Sequence, residues 1–195
     1  MPVPPPSPSL SPPLARLVAF DTATERLATA VAAGARVALA DEAGGAVASA
    51  RLLPLLQAQM AQCGLAMNEL QAVAFGRGPG AFTGLRTACA VAQGLALGAG
   101  CPVLALDSLM LVAEASVPED EDVELWVAMD ARMDEVYAAP YRRCRGEQGG
   151  RWQTLAEPAL YTLPALAARW QAVPPAAVAG SAVTAFAERL PMAGL

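Results

Sequence analysis

Apolar residues along this chain recur alternately at every second position and at helical spacing, which predicts strands interleaved with helices. Residues 16–20 form a short apolar run that predicts a buried strand. Residues 27–33 and 36–40, joined through Gly34, predict two more. Asp21-Thr22-Ala23-Thr24 separates the first two as a turn, because Asp and Thr side chains bond to nearby backbone. Three strands joined by tight turns predict an antiparallel meander. Leu52, Leu56, Met60 and Cys63 then recur at helical spacing, with Leu53 widening the stripe, so a helix is expected over 49–63. Pro54 is expected in its first turn, where a missing N–H has no intrahelical partner, and Gly64 is placed to end it.

A short strand over 72–75 leads into Gly76-Arg77-Gly78-Pro79-Gly80, and a second helix is expected over 83–99. Its rows are small: Gly84, Ala88, Ala92 and Ala96 form one, and Ala90, Gly94 and Gly98 another. Small ridges let helix axes approach to the low end of the roughly 8–10 Å range, so this helix should lie deep in a core or against another helix. Residues 101–106 predict a strand, and Asp107 with Ser108 can cap a third helix reaching 115. The acidic segment 118–122 is expected as a loop at the seam between two halves. Strands over 124–130 and 135–141 should flank the turn Asp130-Ala131-Arg132-Met133. A polar loop (144–150), a helix (162–171), a strand (176–179) and a capped final helix (181–190) complete the reading. This order predicts an α/β chain of two lobes, with no internal repeat.

Composition narrows the function classes. Hydrophobic residues make up 55% of the 195, but the most membrane-like stretch, 88–106, is interrupted by Gln93, Gly94, Gly98, Gly100 and Pro102. A spanning helix needs about 20 mostly apolar residues, so a soluble protein is expected. Seven prolines and three serines in the first thirteen residues suggest a disordered tail rather than an export signal. Cys63, Cys89, Cys101 and Cys144 lack metal-type spacing and are expected as free thiols in a reducing cytosol. The net charge of −5 argues against nucleic-acid binding by this chain alone.

Histidine is absent, which excludes imidazole general acid–base work, Ser/His and Cys/His pairs, and His-ligated metals. Every one of the thirteen basic residues is arginine, so Schiff-base and P-loop lysines are excluded as well. Three segments could still carry chemistry. Asp21, Thr22 and Thr24 form an acidic Thr-rich turn, of the kind that faces phosphate or its magnesium but is also a common cap. Gly76, Arg77, Gly78, Gly80, Thr83, Gly84 and Arg86 frame a glycine-rich opening to a helix. It is either an anion-binding loop or a turn that lets backbones approach closely. The stretch 129–137 holds three carboxylates and an arginine, and a hairpin turn with local salt bridges is the simpler account.

In this order the segments Phe20-Asp-Thr-Ala-Thr24, Arg51-Leu-Leu-Pro54, Gly76-Arg-Gly-Pro-Gly-Ala-Phe-Thr-Gly-Leu-Arg86, Gln93-Gly-Leu-Ala-Leu97 and Met129-Asp-Ala-Arg-Met-Asp-Glu-Val-Tyr137 resemble the bacterial TsaB family. The likeness is good over 17–141 and loose beyond. It implies an actin-like (ASKHA) two-lobed α/β fold, a mixed sheet flanked by helices. The expected parts are a tail at 1–13, a first lobe at 14–117 carrying the dimerisation helices, and a C-terminally incomplete second lobe at 118–195. It implies a non-catalytic cytoplasmic scaffold that binds the catalytic TsaD subunit in making N6-threonylcarbamoyladenosine next to the anticodon of ANN-decoding tRNAs. The TsaE ATPase joins the larger complex, tRNA is met only through the complex, and the chain alone forms a homodimer. No cofactor is bound by this chain alone, with ATP a candidate at the complex interface, and no metal site is expected. Mapped onto this chain, the partner interface is Leu52, Leu53, Leu56, Met60, Cys63, Leu85, Ala88, Cys89, Ala92 and Ala96, and a charge at Ala88 or Ala92 should break the complex without unfolding the chain. The two phosphate-type loops would be vestigial. Ala48, Ala81 and Asp134 depart from the family's usual His, Ser and Gly. The alternative is an actin-like-fold enzyme, a small-molecule kinase with Asp21 or Asp130 as base, or a glycoprotease-like hydrolase.

Overall fold

The computed structural model describes residues 16–118, 121–144 and 151–191. The expected tail at 1–13 and most of the loop at 144–150 lie outside them. Strands β1 (Arg16–Asp21), β2 (Arg26–Ala33) and β3 (Arg36–Ala43) form the expected antiparallel meander. Helix α1 (Ala48–Cys63), strand β4 (Ala72–Gly76), helix α2 (Phe82–Ala99) and strand β5 (Val103–Leu106) follow. β4 and β5 add in parallel, giving a mixed sheet in the order β3-β2-β1-β4-β5.

Alternation decides which face of this sheet is covered. Val18, Phe20, Leu27 and Val31 point to one side and are sealed under Leu52, Leu56 and Met60 of α1 and Ala88, Ala92 and Leu95 of α2. On the other side, Ala28, Val37, Leu39 and Leu104 are left exposed. Gly64 ends α1 in a left-handed conformation (φ 65°), as its lack of a side chain permits. Pro54 falls in the second turn rather than the first. It is tolerated because its ring and the Ala50 carbonyl it deprives of a donor lie on the exposed side.

The second sheet is built from β6 (Val123–Arg132), β7 (Glu135–Cys144), β8 (Arg151–Thr154) and β9 (Ala159–Thr162), with β10 (Val178–Ala179) added in parallel to β6. It is buried on both faces. Leu125, Val127 and Tyr141 pack under Leu109 and Ala113 of α3 (Ser108–Ser116). Ala128, Val136 and Ala138 pack under Leu166 and Trp170 of α4 (Leu163–Ala172). Double burial explains the unbroken apolar run of β6. By packing, α3 belongs to this second sheet, so the lobes divide before Asp107 and not at 117. Strands β8 and β9 had no sequence signal beyond short apolar–polar alternation. The expected final helix over 181–190 shrinks to α5 (Ala182–Ala185), followed by turns that bring Phe186 and Leu190 onto the second core.

Candidate functional site

The Asp21–Thr24 turn at the end of β1 and the glycine-rich segment before α2 are stitched to each other. Asp21 accepts from the Ala23 N–H through Oδ1 (2.6 Å) and from the Ser108 hydroxyl through Oδ2 (2.5 Å). The same Ser108 oxygen accepts from the Gly78 N–H (3.0 Å). Thr22 donates its hydroxyl to the Gly84 carbonyl (2.7 Å), and Ala81 N–H donates to the Ala23 carbonyl (2.7 Å). The glycines are there for contact. A Cβ on Gly76 would overlap the Asp21 carboxylate, one on Gly80 the Ala23 carbonyl, and one on Gly84 the Thr22 carbonyl. Close backbone approach, one of the two readings open to this loop, is present at Gly76, Gly80 and Gly84. Arg77 N–H donates to the Leu106 carbonyl, and the Arg77 side chain is exposed. Thr24 accepts from Arg26 N–H, Thr83 is exposed, and Arg86 lies over the Phe82 ring at 5.3 Å.

Below this contact lies a cleft of about 470 Å³ between the lobes. Thr24, Glu25, Arg26, Pro79, Gly80 and Phe82 line it from the first lobe, and Met129, Asp130, Arg132, Tyr137 and Ser181 from the second. The β6–β7 turn at its edge is a hairpin, as expected, but its ion pairs are long-range. Arg132 pairs with Glu25 across the cleft (2.8 Å), and Asp134 takes a two-point contact from Arg189 (2.7 and 3.0 Å). These anchors hold three consecutive non-glycine residues, Arg132, Met133 and Asp134, at φ of 70°, 53° and 62°. That conformation costs roughly 1–2 kcal/mol per L-residue, so the turn persists because both lobes pin it. Asp21 and Asp130, the two candidates for a kinase's single carboxylate base, differ in freedom. Asp21 is held on both oxygens, whereas Asp130 uses Oδ1 for the Arg132 N–H and keeps Oδ2 without a partner among the described residues.

The expected interface divides in the same way. Leu52, Leu56, Met60, Cys63, Ala88, Ala92 and Ala96 are core residues of the first lobe, so they face the sheet and not a neighbour. Leu85 and Cys89 are half-buried, and Leu53 is 41% exposed. The outward side of α2 is instead Arg86, Ala90, Gln93, Gly94, Leu97 and Gly98. A side chain on Gly94 or Gly98 would meet nothing within 4 Å, and Leu97 is 87% exposed. Both rows of small residues were visible in the sequence, but only packing tells which one turns inward. Ser108, Ser181 and Glu25 carried no sequence signal for their places in the site, because their partners lie 87, 51 and 107 residues away.

The two lobes, each a sheet with its helices, and the cleft closed by the two opposed turns define an actin-like (ASKHA) α/β protein. A family model described as TsaD, tRNA N6-adenosine threonylcarbamoyltransferase, matches residues 46–168. The Escherichia coli K12 tRNA threonylcarbamoyladenosine biosynthesis protein TsaB is 37% identical over 70% of this chain and 58% of its own length. Its Haemophilus influenzae namesake is 39% identical over 62% of this chain and 51% of its own. The chain thus spans little more than half of these curated relatives. The solved structure of YeaZ from Pseudomonas aeruginosa superposes with a TM-score of 0.77 at 34% identity, covering 91% of this chain and 81% of that one. A second, described as similar to the peptidase YEAZ from Pseudomonas aeruginosa, matches equally. This chain belongs to the TsaB family.

Proposed function

We propose that this chain is a non-catalytic scaffold subunit that pairs with a TsaD-type catalytic subunit to form N6-threonylcarbamoyladenosine next to the anticodon of ANN-decoding tRNAs. Family membership and the names of the relatives support the pathway. The observation that carries the scaffold role is the outward side of α2, where open Gly94 and Gly98 flank an 87% exposed Leu97. A groove of missing side chains beside a projecting leucine suits close approach of another helix. Of the residues expected at the interface, Leu53 is exposed and Leu85 and Cys89 are half-buried, while the inward rows hold the lobe together. The lack of histidine and lysine and the double engagement of Asp21 support a role without chemistry of its own. In this reading ATP belongs to the interface, TsaE joins the larger assembly, tRNA is met through the complex, and a homodimer uses the same helices when the partner is missing. Cytosol is the proposed location; no described helix is long and apolar enough to cross a membrane.

The test is co-purification with the TsaD-type subunit. Gly94→Asp and Leu97→Asp should each abolish co-elution while leaving the melting temperature near that of the parent. Ala88→Asp, aimed into the core, should instead prevent folding, because an unpaired buried charge is prohibitive. Co-elution of a folded Gly94→Asp/Leu97→Asp double variant at the parental level would overturn the proposal.

A further inference from the structure

The first sheet ends on a strand whose outer edge is open. β3 closes the order β3-β2-β1-β4-β5, and no described strand pairs with its far side. The Gly44 N–H donates to the Glu25 carbonyl (2.8 Å), which sets the alternation of the β2–β3 ladder. Bonded and non-bonded pairs alternate in such a ladder, so β2 is met by the backbone of residues 36, 38, 40 and 42. The N–H and C=O groups of Val37, Leu39 and Asp41 therefore point away from β2. The Asp41 carbonyl accepts from the Arg26 guanidinium (3.0 Å), and its second lone pair remains for another donor. The three side chains share the uncovered face of the sheet, with Val37 60% and Leu39 75% exposed. Edges of this kind are blunted by lysine, proline or a bulge, and β3 has none of these. Its charges stand at its ends, Arg36 at one and Asp41 and Glu42 at the other.

We propose that two copies of this chain pair through β3, antiparallel, about a twofold axis at Leu39. In that register Leu39 meets Leu39 of the second copy, Val37 meets Asp41, and Arg36 meets Glu42. The outward backbone groups of Val37, Leu39 and Asp41 then bond one another in both directions. Arg36 and Glu42 form a non-bonded pair, in which opposed side chains stand closest, about 4.5 Å apart at Cα. Their signs are opposite, and the twofold axis repeats the pair at the other end of the strand. Glu42 gives Oε2 to Arg51, and Arg36 gives Nη1 to the Cys63 carbonyl, which leaves Oε1 and the remaining guanidinium N–H groups for this contact. A foreign peptide could also use the edge, but the equal spacing of Arg36 and Glu42 from Leu39 favours a self-complementary partner. The edge is separate from the outward side of α2, which lies over β4. Self-pairing therefore leaves α2 open to another subunit.

Sedimentation equilibrium of the full chain tests this, in the Gly94→Asp/Leu97→Asp background so that association through α2 is removed. A contact of one strand a side falls near or below about 1,200 Å², so a dissociation constant in the micromolar range or weaker is expected. Leu39→Lys sets like charges face to face and should weaken the dimer about tenfold. Leu104→Lys, exposed on the same face at the opposite edge, should change nothing. Glu42→Arg should weaken the dimer, and Arg36→Glu/Glu42→Arg should restore it, which a merely structural role would not produce. This pair of variants is the readout if Leu39→Lys fails to fold. Any of four results overturns the proposal. These are a monomer throughout in the α2 background, equal losses from Leu104→Lys and Leu39→Lys, no recovery in the double reversal, or loss of TsaD-type co-elution with Leu39→Lys, which would assign the edge to that subunit.

Discussion

At the scale of single residues, the chain settles its polar groups by pairing them over long sequence distances. Tyr141 is fully buried, and its hydroxyl donates to Oδ2 of Asp107 at 2.8 Å. The other oxygen of Asp107 caps α3 by accepting from the Leu109 and Met110 N–H groups. One carboxylate therefore starts a helix and fastens it to the sheet beneath. Burial first, and then the Asp107 contact, push the phenol well above its ordinary value of 10. The unfolded chain gives up this proton first as pH rises past 10, so Tyr141 contributes a fall in stability in alkali. Tyr141→Phe should lose that alkaline slope and cost about 1–3 kcal/mol at neutral pH, because Asp107 is left buried with an unanswered acceptor. Urea unfolding at pH 7 and pH 10.5 (about half a unit past the phenol's ordinary range) would measure both. Asp107 as a helix cap was legible from its place before an apolar stretch; its partner 34 residues later was not.

At the scale of elements, α2 shows two effects of opposite sign at one position. Gly84 lies in its first turn, and replacing a helical glycine by alanine ordinarily stabilises by about 1 kcal/mol. Here the new methyl would overlap the Thr22 carbonyl backbone, which cannot swing aside as a flexible side chain would. Overpacking of this kind costs about 1–3 kcal/mol, and displacing the turn also strains the Thr22–Gly84 hydrogen bond. The steric effect should win. Gly84→Ala is expected to lower the melting temperature, whereas Gly94→Ala, on the open side, should leave it unchanged or raise it. A melting curve for each decides the matter, and a stabilised Gly84→Ala would mean the two loops are not in contact. Helix positions were legible because apolar spacing repeats over several turns. The inward face of α2 was not, because alanine and glycine line it on both sides and hydrophobicity cannot rank them.

At the scale of the whole molecule, distant segments are joined by exposed ion pairs. Arg132 reaches Glu25 across the cleft, and Arg189, beyond α5, clasps Asp134 at the β6–β7 turn. The Arg189 hydrogen bond holds the Asp134 carboxyl below its ordinary 3.8. A depressed carboxylate contributes stability above its unfolded value and loses it as pH falls through the folded one. Asp134→Asn tolerates the left-handed backbone equally well and removes only the charge. It should therefore melt below the parent at pH 7, with the gap closing in acid below about pH 4, near the ordinary carboxylate range. A gap that persists unchanged in acid would assign the effect to the turn and not to the pair.

Order and type of most elements, the glycine that ends α1, the aspartate that caps α3 and membership of an actin-like family were all determined by local pattern and motif. Such features depend on a few neighbouring residues and on side-chain periodicity, both written in the chain. Tertiary structure alone decided that α3 joins the second sheet, that Ala88 and Ala92 turn inward while Gly94 and Gly98 stay open, and that the two loops lock together. Those outcomes depend on which surfaces meet after the chain has closed on itself. Contacts between residues 50 to 100 positions apart, such as Asp21 with Ser108 or Thr22 with Gly84, leave no trace in local spacing.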